Sequence, residues 1–356
     1  MGDTIRPKRI LPLDSWRGIA ILLVLWGHFS YVAWMNLGAF GVEFFFVLSG
    51  RLMAQILYVN AHPLPEFFFR RATRILPALF GFVTIYLLVS SFIGEPFSLS
   101  PVWAVTALTF TINYVTIFTH GTGWFDHIWS LCVEEHAYFL LGGLVLLFGR
   151  GIRRAAILLG GLAALMMLNG IVSYAVLNQS FETVYHRSDV HVASVFIAAS
   201  VFLFVRHLAN AVLVRRLALP VFLVALGLGI GLNLTGMPTV VSYSLGTFCL
   251  AVAVSLVDIA SRQVTAVLSS RVLTQFGLWS YSIYLWQQPF YKLDRMYDGL
   301  TIWLLLAALG CGIASYYVIE RPARRGLNAL WPRLEQRLSK FRSARTPPAA
   351  ADKRST

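Results

Sequence analysis

Three ionisable residues, Asp14, Arg17 and His28, stand in one apolar run, LDSWRGIAILLVLWGHF, at residues 13–29. Each costs roughly 3 kcal/mol to place in hydrocarbon, so each needs a partner or a task. At a helical 100° per residue, Arg17 falls about 60° and His28 about 40° from Asp14 in the same sense, so all three share one face. That face must look into a bundle, and Gly18 beside it lets a neighbouring helix or a ligand approach closely. Two readings follow: an Asp14–Arg17 pair that locks helices together, with His28 reaching for the interface, or a site in which the imidazole carries protons.

Four further stretches bear on the choice. In GVEFFFVLSGRLMAQ (41–55), Glu43 is level with His28 and either orients that imidazole or is an interfacial acid. Ser49-Gly50 reads as a close-packing site, and Arg51 needs a partner or an anion. In FFFRRATRILP (67–77), Arg70, Arg71 and Arg74 form a cluster. Arg70 and Arg74 lie one turn apart and can point the same way. Guanidinium forks suit phosphate, although the charge bias of membrane loops also places arginines here. WSLCVEEHAY (129–138) carries Glu134 and Glu135 on adjacent positions that face different ways, one toward a cavity and one toward headgroups or a partner. With His136 they lack the i, i+4 pairing of a metal helix, so no metal is expected. HRSDVH (186–191) sets Arg187 and Asp189 at the mouth of a later span. LWSYSIYLWQQPF (278–290) mixes aromatic and amide side chains, as sugar clefts do, but reads more simply as an interfacial belt.

Positioning such groups takes a scaffold, and the composition says which kind. Of 356 residues, 57% are hydrophobic and only 13% charged, against about a quarter charged in soluble domains. The expectation is an all-α, polytopic transmembrane bundle. Hydropathy places ten spans near 10–32, 38–58, 76–94, 128–148, 155–176, 190–205, 217–235, 239–257, 273–291 and 300–319, with the Thr-rich run 103–118 at the surface or dipping in. The first run is too long and too charged for a removable signal peptide, and Arg6 breaks a myristoylation motif. Cys132, Cys249 and Cys311 lie in apolar runs without paired or ligand spacing.

Ten spans put both termini on one side. With that side cytoplasmic, 24 Lys and Arg fall inside, 3 outside, and Arg17 and Arg51 within spans, which follows the positive-inside rule. The net charge of +13 therefore reports topology rather than nucleic-acid binding. Residues 1–325 are expected to form the membrane domain and 326–342 an amphipathic helix on the inner leaflet. Residues 343–356 are too polar and too rich in Pro and Ala to order themselves. No internal repeat is visible, which weakens a transporter reading. A non-catalytic partner in polysaccharide export is the other alternative.

Taken in order, these motifs resemble those of the acyltransferase-3 family of integral membrane O-acyltransferases. The matches are LDxxRGxAxxxVxxxH at Leu13 to His28, GV(D/E)xFFVLSG at Gly41 to Gly50, RRxxRIxP at Arg70 to Pro77, WSLxxE at Trp129 to Glu134, SYSxYLW at Ser280 to Trp286, and ExPxR at Glu320 to Arg324. The sequence departs at Gln287, where many members have His, and at Arg51, where an aromatic is commoner. No C-terminal esterase-like domain, which some members carry, is expected from these residues. The resemblance implies transfer of an acyl group, acetyl first, from cytoplasmic acetyl-CoA to a carbohydrate hydroxyl at the outer face of a bacterial cytoplasmic membrane. It implies that Arg70, Arg71 and Arg74 hold the donor's phosphates, with Arg17 deeper in the funnel. His28 is then a general base or a transient acyl carrier, Glu134 rather than Glu135 orients or charge-balances the site, and Asp14 and Glu43 support it.

Overall fold

The computed structural model describes residues 11–119, 123–260, 264, 268–297 and 299–336. Among them there is no β-strand, and the chain folds as a bundle of helices. In chain order these are α1 (Leu11–Phe29), α2 (Leu37–Ala54), α3 (Leu64–Ile93), α4 (Pro101–Leu108), α5 (Ile112–Thr119), α6 (Trp129–Phe148) and α7 (Ile152–Ala175). They continue as α8 (Phe181–His186), α9 (Ser188–Leu208), α10 (Val212–Gly231), α11 (Thr239–Ala260), α12 (Arg271–Met296), α13 (Thr301–Ser315) and α14 (Arg321–Asn328). α2 runs on through a π-helical turn, Gln55–Val59, and α13 through another, Tyr316–Glu320.

Eight helical runs among the described residues are long and apolar enough to cross a membrane. This is a multi-pass integral membrane protein. Long helices occupy all ten of the expected positions, and the two outside the set of eight are α1 and α12. Both are long enough, at 19 and 26 residues, but they carry the polar residues that build the site. α4 and α5 have eight residues each, about 12 Å of rise and too short to span.

The third helix corrects the sequence reading most. It starts at Leu64, after Pro63, rather than near residue 76, and is 30 residues long. Pro77 sits inside it. Hydropathy averaged over the arginines hid its first three turns; Leu64, Phe67, Phe68 and Phe69 bury what the charges do not. Arg70, Arg71 and Arg74 therefore project from a helix instead of preceding one.

α1 and α12 lie side by side and run the same way, as the pairs Ser15–Thr274, Arg17–Ser280 and His28–Gln287 show. Glycines set their spacing. A Cβ on Gly18 would stand 2.1 Å from the Leu273 carbonyl oxygen, and one on Gly277 1.8 Å from that of Asp14. Only glycine fits either place. α2 and α9 are the most enclosed spans, 67% buried, whereas α10 is 22% buried. Of the expected interfacial helix at 326–342, the described part ends at Gln336, and its Trp331 packs on Phe69 of α3 with ring centroids 5.1 Å apart. Residues 1–10 and 343–356 lie outside the described residues.

Candidate active site

His28 ends α1 at the wall of a cavity of about 580 Å³. Its Nδ1 is 2.7 Å from Gln287 Oε1 of α12. An amide oxygen only accepts, so Nδ1 carries the hydrogen and Nε2 keeps its lone pair. Nε2 has no hydrogen-bond partner among the described residues. The ring is stacked on Tyr291, with centroids 4.4 Å apart and planes 17° from parallel. Behind Gln287 the bonds continue: its Nε2 donates to Gln288 Oε1 (3.3 Å), and Gln288 Nε2 donates to Asp126 Oδ1 (2.7 Å). Lys292 Nζ donates to the other oxygen of Asp126 at 3.0 Å. Every member from His28 to Lys292 thus has one fixed direction of donation, which locks the tautomer.

The sequence marks Gln287 only as a departure from the family pattern and gives no role to Asp126. The signal was the departure at Gln287, where the family has His. The belt reading of residues 278–290 fails as well: Gln287 and Gln288 are buried, and Tyr284, Gln288 and Tyr291 line the cavity.

Glu43 does not meet His28. It is 1% exposed, accepts from Thr247 Oγ1 at 2.6 Å, and its Oε2 is 3.0 Å from His191 Nε2. His191 Nδ1 donates to the Tyr185 carbonyl at 2.9 Å. Glu43 lies one helix turn along α2 on the side facing α9 and α11, which sequence spacing alone does not distinguish from the side facing α1. Rings of Phe46, Trp129, Tyr185 and Tyr243 surround His191 at 4.8 to 5.6 Å. The pair therefore braces the wall that Trp129 and Tyr185 present to the cavity.

A second, smaller cavity of about 60 Å³ lies deeper, lined by Arg17, Ser130, Glu134, Ser280 and Tyr281 among others. Val42 and Tyr284 line both cavities and stand between them. Tyr284 is held there by its hydroxyl, which donates to the His127 carbonyl at 2.6 Å and lies 2.7 Å from Ser130 Oγ. Arg17 reaches Ser280 Oγ at 3.5 Å, and its buried Nε has no partner. Asp14 stands in the first turn of α1, where a carboxylate complements the helix N-terminus.

The three arginines of α3 divide. Arg71 is enclosed and spans both glutamates, with Nη2 2.8 Å from Glu134 and Nε 2.8 Å from Glu135. It also lies 3.9 Å above the Tyr138 ring. Glu134 is saturated: Ser49 Oγ donates to Oε1 at 2.5 Å, and Tyr138 and Arg71 donate to Oε2. The adjacent acids thus share one cation instead of facing opposite ways, because the Arg71 guanidinium offers one nitrogen to each. Glu134 balances Arg71, not His28. Arg70 is 48% exposed and paired with Glu66 one turn earlier at 2.6 Å, so it does not share a site with Arg74. Arg74, partly buried, sits among Arg17, Arg71, Arg324 and Glu320. Glu320, 1% exposed, accepts from Ser282 at 2.7 Å. Arg51 finds the partner its position demands in Asp258, and Arg187 pairs with Asp189 at 2.5 Å. Among the described residues, no three His, Cys, Asp or Glu side chains gather as a metal set.

A family model described as an acyltransferase domain (Acyl_transf_3) matches residues 10–321. YrhL of Bacillus subtilis is 29% identical over a match covering 89% of this chain and 55% of that protein. The peptidoglycan O-acetyltransferase OatA of Listeria monocytogenes is 27% identical over 46% of this chain and 28% of its own length. The O-acetyltransferase OatA of Staphylococcus aureus is 29% identical over 40% and 25% respectively. The chain thus covers about a quarter to just over half of the curated relatives it matches. No solved structure matches it.

Proposed function

Because the chain belongs to the acyltransferase-3 family, we propose that it moves an acetyl group from cytoplasmic acetyl-CoA to a carbohydrate hydroxyl outside the membrane. Two relatives named as O-acetyltransferases, one of them of peptidoglycan, support acetyl as the group and a cell-wall or surface glycan as the acceptor. The observation that carries the reading is the pair of neighbouring cavities that share a wall. One exposes His28, the other exposes Arg17, and Tyr284 and Val42 are common to both. Eleven residues of helix separate Arg17 from His28, about 16 Å of rise, which suits a donor entering from one side and an acceptor from the other.

The arginine-rich end faces the cytoplasm by the positive-inside rule. There the unpartnered Nε of Arg17 and the guanidinium of Arg74, with Arg324 close by, fit a polyanionic donor. Arg71 is committed to the glutamates and Arg70 to Glu66, so these two hold the helix and its mouth rather than phosphate. Asp14 and Glu43 support the site by steadying α1 and the His191 wall.

At the outer end, His28 Nε2 takes the proton of the acceptor hydroxyl as its oxygen attacks the acyl carbonyl. The same nitrogen then returns the proton to the departing sulfur. The Nδ1–H tautomer set by Gln287 leaves the Nε2 lone pair free for this proton transfer. The test is a mass comparison of surface glycans from wild-type, deletion, His28→Ala and Arg17→Ala strains. Loss of an acetyl increment in all three mutants, with normal membrane levels of both variants, is the expected result. Wild-type acetylation in the His28→Ala strain would refute the reading.

A further inference from the structure

His127 stands in a short 3-10 turn, Asp126–Ile128, just before α6. It is 5% exposed and lines the same large cavity as His28. Its position is fixed from both sides. The backbone carbonyl accepts from the Tyr284 hydroxyl at 2.6 Å and from Ser130 Oγ at 3.4 Å. The ring is wedged edge-on to Phe82, at 90° and 5.8 Å, and tilted on Tyr284 at 5.4 Å. Yet neither ring nitrogen makes a well-formed hydrogen bond among the described residues, although the Leu285 carbonyl lies alongside. A buried polar group without a partner keeps its full desolvation penalty, and such groups call for an explanation. Each of the other histidines named for the cavity and its wall has at least one ring nitrogen bonded: His28 to Gln287, His186 to the Glu182 carbonyl at 2.7 Å, and His191 on both nitrogens.

We propose that His127 is a second catalytic residue, whose ring N–H binds the carbonyl oxygen of the acyl group while His28 handles the proton. The proposal rests on the acyl-transfer reading above and adds the group that receives the developing charge. In the step, the acceptor oxygen forms a C–O bond to the acyl carbon of a CoA-type thioester. The carbonyl π pair moves onto oxygen, where the His127 N–H meets it, and His28 Nε2 holds the hydroxyl proton. Re-formation of the C=O bond then breaks the C–S bond, and the proton passes from His28 to sulfur, leaving ester and thiol. Every protonation state of an imidazole offers at least one N–H donor. A positioned donor in a site largely closed to water is worth more than one in water.

The full chain in lipid nanodiscs, with acetyl-CoA as donor and solubilised peptidoglycan fragments as acceptor, gives the kinetic test. Removing one such donor costs about 10²–10³-fold in kcat. His127→Leu is expected to show that loss with little change in KM for acetyl-CoA and an unchanged unfolding temperature. His127→Gln, which restores an N–H donor, is expected to recover at least a tenth of wild-type kcat. An active His127→Leu, or His127→Gln as inactive as His127→Leu, overturns the proposal. A second readout does not depend on turnover. Infrared spectra of [1-13C]acetyl-CoA bound to His28→Ala protein should show a lowered carbonyl frequency, and His28→Ala/His127→Leu should return it to the solution value. A bound carbonyl band that His127→Leu does not move overturns the proposal alone. No bound band in any variant overturns the donor reading, and the role of His127 with it.

Discussion

Gln287 decides what His28 can do. As a neutral acceptor it fixes the Nδ1–H tautomer without adding charge, and Gln288, Asp126 and Lys292 hold it in that orientation. Gln287→Leu should keep the fold and lower kcat about 10–100-fold, the cost of losing orientation in an otherwise intact site. Gln287→Glu should keep activity but move the acidic limb of the rate profile to higher pH, since a carboxylate against Nδ1 favours the charged imidazole. Rate profiles of both variants check this, and an unshifted limb in Gln287→Glu would count against contact with His28. Much of this scale was legible in the sequence. His28 and Arg17 were reached from their cost in hydrocarbon and their shared helix face. Gln287, Asp126 and His127 were not, because their importance comes from contacts across 162 and 259 positions of sequence, which no local spacing reports. Glu43, open in the sequence between orienting His28 and an interfacial role, meets His191 instead for the same reason: the sequence places it on α2 but does not say which neighbour that face of α2 meets.

Between helices, two kinds of contact hold the site and predict opposite outcomes when broken. At the α1–α12 seam, backbone meets backbone at Gly18 and Gly277. An alanine there has no rotamer to escape into, so Gly277→Ala should cost about 1–3 kcal/mol by overpacking and lower the unfolding temperature in detergent. Where α3 meets α6, Arg71 lies between Glu134 and Glu135. Arg71→Ala leaves two enclosed carboxylates without their cation, a loss of about 3–5 kcal/mol, so this variant should fail to accumulate. Arg74→Ala breaks no such pair and should accumulate normally with a raised KM for acetyl-CoA. Equal expression of the two variants would contradict this division of the arginines. Helix existence was legible nearly everywhere from apolar run length. The start of α3 was not, because three arginines within five residues lower the local hydropathy even where tertiary partners absorb their charge. α1 and α12 show the same effect from the other side: the polar residues that depress their apolarity are the ones that meet across the seam.

For the whole molecule, charge placement and the two cavities point along one axis. On the proposed reading, the 24-to-3 division of Lys and Arg turns the cavity at Arg17 toward the cytoplasm and the His28 cavity outward. On that same reading, Arg17 and Arg74 would meet the donor on one side of the membrane and His28 the acceptor on the other, with Tyr284 between. The most direct measurement uses proteoliposomes in which the arginine-rich face is turned outward and glycan fragments are sealed inside. Radiolabelled acetyl-CoA is added only outside. Wild-type protein should deliver label to the enclosed glycan as an alkali-labile ester, and His28→Ala should deliver none while still being inserted and folded. Label on the enclosed glycan at the wild-type rate with His28→Ala, or transfer only when donor and glycan share one compartment, would contradict the account.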